Sequence, residues 1–173
     1  KILPQRWGNT PQNALTSEDT DLTSRMITGQ MNQKPDIWMQ ITIPSEFQPV
    51  GNFNIGVSAV IETTNASPDF IEGCNRMDLN IVSSEHSKAT LNVVYDKLDD
   101  KTKQKVGEVK LTKPVEVLFE GFDPSIYDNK KQVQTSVNDA LSDVTESFAY
   151  LFVGHWLQGN IGHDRKNVSG LIH

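Results

Sequence analysis

The chain has a single cysteine, Cys74, among 173 residues, so it can form no internal disulfide. That usage fits a reducing compartment, and a cytoplasmic location is expected. Cys74 falls in the apolar pattern Phe70, Ile71, Cys74, Met77, the buried face of a helix, where a thiol is an inert small hydrophobe. Long apolar runs are missing as well. None approaches the roughly 20 residues of a membrane-spanning helix, and the polar opening at Lys1 is not that of a secretory signal. Basic charge is scarce: 16 Lys and Arg against 22 Asp and Glu leave a formal net charge of -6. Nucleic acid is therefore not expected as a partner, because phosphate backbones select a basic face. Neither GxGxxG nor a Walker run occurs. GVSAV (56–60) lacks the second glycine of a hydrolase nucleophile elbow.

What is present is an alternation of strand and helix signals. PDIWMQITIP (35–44) places Ile37, Met39, Ile41 and Ile43 at a period of two between prolines, which reads as a strand. NIGVSAVIE (54–62) is a second strand. SPDFIEGCNRM (67–77) opens with Ser67, Pro68 and Asp69, the residues of a helix start. DLNIV (78–82) is a short apolar strand, and Ser83 or Ser84 then caps a helix expected through Ala89, Val93, Val94 and Leu98. DDKTKQKVGEVKLTK (99–113) reads as a solvated surface stretch. PVEVLFEGFDP (114–124) returns to strand and ends in a turn. A helix is expected near Val133, Val137 and Leu141. FAYLFV (148–153) has the near-continuous apolar character of a strand covered on both faces. Strand–helix alternation of this kind implies an α/β fold built on a largely parallel sheet.

In such sheets ligands bind where the carboxyl ends of strands lead into helices, and two stretches have suitable chemistry. IVSSEHSK (81–88) ends a strand in Ser83 and Ser84 and opens a helix with Glu85, His86 and Lys88, as an anion or sugar-hydroxyl site or simply as a serine cap. FVGHWLQGNIGHDRKN (152–167) combines Gly154, a pliable loop with Gly159 and Gly162, and the pair Arg165–Lys166 before a short helix-like tail. Cations at a helix N-terminus are unfavourable unless they serve an anion, so this stretch is either a diphosphate site or a solvated basic pair. His155, His163 and Asp164 lack the spacing of a zinc site, and no metal is expected.

Three ordered segments together resemble the GT-B glycosyltransferases, in particular the retaining family 4-like group of bacteria and large phages. They are IETTNASPDFIEGCNRMDLNIVSSEHSK (61–88), VEVLFEGFDPSIY (115–127) and YLFVGHWLQGNIGHDRKNVSGLI (150–172). The match spans roughly residues 36–172. It implies a Rossmann-like N-terminal, acceptor-side domain over 1–122, an interdomain connection over 123–147, and the first βα unit of a donor-binding domain over 148–173. By that resemblance the glycine-rich first βα unit would precede Lys1, and the acidic Glu-x7-Glu element would follow His173. The chain is therefore expected to be an incomplete part of the enzyme, inactive by itself.

The implied activity is transfer of a sugar from a nucleotide-sugar donor to a hydroxyl acceptor, with no required cofactor. Lys166 matches the family's lysine at the helix start. His155 stands where the family has an arginine, and Arg165 is the substitute. Gly154, His155, Arg165 and Lys166 are thus the expected donor-diphosphate residues, and Glu62, Ser84 and His86 the acceptor-side ones. The competing expectation is a non-catalytic glycosyltransferase-like binding or structural module, of a phage particle for example. If a phage encodes the chain, its compartment is the host cytoplasm.

Overall fold

The computed structural model describes residues 1–5, 15–27, 29, 31–154 and 168–172. The chain divides into two units, Lys1–Gly121 and Phe122–His173.

In the first unit, α1 (Thr20–Arg25) is a short exposed helix braced by an Asp21–Arg25 ion pair at 2.7 Å. The body follows as β1 (Ile37–Ile41), a 3-10 turn (Pro44–Glu46), β2 (Phe53–Ser58), α2 (Pro68–Asn75) and β3 (Leu79–Val82). Then come α3 (Glu85–Thr90), β4 (Tyr95–Leu98), β5 (Lys105–Val109) and β6 (Val115–Val117). Strands β1, β2, β3 and β6 form one four-stranded sheet in that order, every neighbouring pair parallel, while β4 and β5 form an antiparallel hairpin. The α/β class and the parallel sheet expected from the alternation are both present.

The strand order explains where the core lies. A sheet whose parallel strands follow one another in one direction, joined by right-handed crossovers, carries all its connections on one face. On that face Phe47, Ala66, Ile71, Cys74, Met77, Val82, Leu91 and Val115 form a single buried cluster, joined at its margin by Trp38 and Val117. Two glycines set the packing distance. A Cβ at Gly56 would meet the Phe47 ring at 2.5 Å, and one at Gly73 would lie 1.8 Å from the Pro44 carbonyl oxygen. Helix α2 therefore rests its backbone directly on the 3-10 turn. Arg76 finishes the joint, its Nε donating to the Phe47 carbonyl at 2.8 Å and its Nη2 to that of Ser45 at 2.7 Å.

The other face of the sheet is different. Paired residues of a parallel ladder point the same way, so Ile37, Met39 and Ile41 lie beside Phe53, Ile55 and Val57. Ile55 and Val57 in turn lie beside Leu79 and Ile81. The described connections between these strands all contribute to the cluster on the opposite side. Ile37 is 65 % exposed, Met39 52 %, Ile41 73 % and Phe53 45 %.

Three expectations require correction. The helix foreseen through Leu98 stops at Thr90, and residues 95–98 are strand β4. Val93, Val94 and Tyr95 favour a pleated strand, and Tyr95 is anchored by its hydroxyl donating to the Ala66 carbonyl at 2.8 Å. The lysine-rich stretch is its partner: β5 pairs with β4 around a turn in which the Asp99 carboxylate accepts from the Lys101 and Thr102 backbone N–H groups. The second strand ends at Ser58 rather than Glu62, because Val60 turns to φ 63°. Finally, residues 148–153 form no strand. Leu151 is 89 % exposed, and the local contact is an edge-to-face pair of Phe148 and Tyr150 at 5.0 Å, so the cover on both faces that a buried strand needs is missing among the described residues.

The second unit contains α4 (Thr135–Ala140), within the helix expected near Val133, Val137 and Leu141, and α5 (Val168–Ile172).

Candidate functional site

At the carboxyl edge of the sheet, β2 leads into the 59–66 loop and β3 into Ser83–Ser84 and α3. Because β2 and β3 are adjacent and parallel, these two segments emerge side by side. Hydrogen bonds tie them together. Ser87 Oγ donates to the Ala59 carbonyl at 2.9 Å, and at the far end of the loop the Ala66 N–H donates to the Thr90 carbonyl at 2.9 Å. The loop is therefore pinned to α3 at both ends and carries Glu62 on its exposed crest.

Val60 lies inside this loop with φ 63°. A β-branched residue in the left-handed region is a steric outlier, and strain of that kind persists only where surrounding contacts impose it. Here the contacts are visible: Ser58 Oγ accepts from the Val60 N–H at 3.1 Å, and Ala59 is held by Ser87. The conformation turns the chain out of β2 abruptly and leaves Ala59 and Glu62 exposed at the sheet edge.

The expected acceptor-side residues occupy this edge. Ser84 is the N-cap of α3, its Oγ accepting from the Ser87 N–H at 3.0 Å and lying 3.0 Å from Ser87 Oγ. Of the two readings of IVSSEHSK, the serine cap is realised by Ser84. His86 follows in the first turn, exposed, as is Glu85. Ser83 is half-buried at the end of β3. Sequence reasoning did not single out Ser87 and Val60. Ser87 carried a readable signal, a hydroxyl three residues after a cap, whereas nothing in a valine announces a positive φ.

Of the expected donor residues, Gly154 is described and exposed, with the Phe152 ring beside it. His155, Arg165 and Lys166 lie outside the described residues, as do His163 and Asp164. Among the described residues no three His, Cys, Asp or Glu side chains gather in a way that could hold a metal ion, and no helix is long and apolar enough to cross a membrane.

No family model, curated protein or solved structure matches this chain. The site is thus defined by its own geometry. A shallow open depression of about 290 Å³, lined by Met31, Asn32, Gln33, Lys34, Pro35 and Val50, lies at the opposite, amino-terminal edge of the sheet and includes none of the candidate residues. Cys74, also away from the edge, is chemically quiet: burial pushes its thiol up to about 12, against a weaker opposing pull from the Arg76 charge.

Proposed function

We propose that this chain is part of a GT-B-type glycosyltransferase, transferring a sugar from a nucleotide-sugar to a hydroxyl acceptor. The carboxyl edge around the 59–66 loop and α3 is its acceptor side. The observation that carries this reading is the loop itself. It is a strained segment, pinned at both ends, at the edge where parallel α/β sheets present their ligands; it carries exposed Glu62, and the helix it is pinned to carries exposed His86. A carboxylate and an imidazole of this kind recognise hydroxyl groups as acceptor and donor of hydrogen bonds.

Gly154, His155, Arg165 and Lys166 form the donor side. The glycine allows backbone N–H groups to approach the diphosphate, and the cations neutralise the charge that develops as it departs. Electrostatic stabilisation of that leaving group is the main catalytic term, and it requires no cofactor beyond the donor itself. Calorimetric titration with a panel of nucleoside diphosphates tests the assignment. Lys166→Ala should weaken binding tenfold or more, the scale of one charge-assisted hydrogen bond. Unchanged affinity removes the donor site.

One observation favours the competing reading, a non-catalytic binding module. The hydroxyls of Ser84 and Ser87 are engaged within the fold, so the hydroxyl-rich appearance of this edge partly serves helix capping. A chain that binds glycans without nucleoside diphosphates would be the module rather than the enzyme.

A further inference from the structure

We propose that the open face of the four-stranded sheet is a contact between two copies of this chain, independently of the chemistry at its carboxyl edge. Eight apolar side chains line that face: Ile37, Met39 and Ile41 on β1, Phe53, Ile55 and Val57 on β2, Leu79 and Ile81 on β3. Its ionisable member is Glu116, beside Ile81 on the edge strand β6.

Parallel sheets are covered on both faces, yet all the connections between these strands contribute to the cluster on the other side. The missing layer therefore comes from outside residues 37–117. The composition of the face selects its occupant. With one carboxylate at its margin it offers no charge complement to nucleic acid, an anionic membrane or a charged peptide. An isologous contact needs none, because an apolar patch is complementary to itself across a two-fold axis. Sheets stacking face to face in this way interdigitate their side chains at about 10 Å.

The area is sufficient. Four strands about 4.8 Å apart and roughly five residues long have a footprint of about 300 Å². With side chains standing from it, the accessible surface is on the order of 500 Å² per copy, so a pair removes about 1,000 Å² from water, the lower bound for a specific interface. A patch of this size and continuity is at the upper end of what a monomer leaves open.

Light scattering on the full chain over a range of about 5 to 500 µM tests the proposal. A reversible dimer is expected, and Met39→Glu or Ile41→Glu should weaken it at least 100-fold by burying an unpaired charge, with the far-UV spectrum unchanged. Lys88→Glu on α3, across the sheet, should leave the dimer intact. A chain that stays monomeric at every concentration overturns the proposal, and so does a dimer indifferent to both glutamates. A measurement without mutation guards against misfolded variants. In methyl-labelled protein the Met39 resonance should shift with concentration while that of buried Met77 does not, and a Met39 signal independent of concentration overturns the proposal as well.

Discussion

Gly73 lets α2 rest its backbone on the 3-10 turn. Its Cα faces the Pro44 carbonyl oxygen so closely that a methyl group would sit 1.8 Å away, against backbone that cannot swing aside. Gly73→Ala should therefore destabilise the protein by about 3 kcal/mol or more, read from the urea midpoint. Gly107→Ala on the hairpin, where a Cβ meets nothing within 4 Å, should cost nothing measurable. Cys74 gives a second prediction: with its thiol raised to about 12 by burial, it should be silent to a thiol reagent at pH 8 until the protein is unfolded. Asp78 gives a third. Its carboxylate accepts from the Asn54 side chain and backbone N–H, and Lys113 lies 3.6 Å away; these contacts, the Asn54 hydrogen bonds foremost, hold it below the usual carboxylate range. A depressed folded value means the contribution is complete above the unfolded value of about 3.9 and lost as pH falls through the folded one. Urea midpoints measured from pH 6 to pH 2 should fall at the acid end, and Asp78→Asn should flatten part of that fall.

At the scale of elements, the readable parts of the sequence were those whose signal is local. Pro68 after Ser67 announced α2, the short stretch 79–82 ending in β-branched Ile81 and Val82 announced β3, and the serine pair before Glu85 announced the cap of α3. Ser84→Ala should accordingly cost about 1 kcal/mol of stability. The misreadings came where a tertiary partner decides. Val93, Val94 and Leu98 satisfy a helical spacing as well as a strand, and only pairing with residues 105–109 across the Asp99 turn selects the strand. The apolar run 148–153 failed for the converse reason, since a buried strand needs neighbours that composition cannot supply.

For the whole molecule, the alternation in residues 37–41 made a two-faced strand legible but not which face is covered. That depends on the hand and order of the crossovers, and they cover the Trp38 side and leave Ile37, Met39 and Ile41 open. The same strand order places the ends of β2 and β3 side by side, so Glu62 and His86, 24 residues apart in the chain (86 minus 62), come to one edge. Their composition was visible from the sequence; the left-handed turn at Val60 that shapes the loop carrying Glu62 was not.

The most direct test of the functional account is amide chemical-shift mapping of this chain titrated with nucleotide-sugars, UDP-glucose and GDP-mannose among them, and then with a glycan acceptor. Shifts at residues 154–166 with the donor, and at 59–66 and 83–87 with the acceptor, are the predicted result. An unresponsive spectrum, or shifts confined to the depression at Met31–Pro35 and Val50, would contradict it.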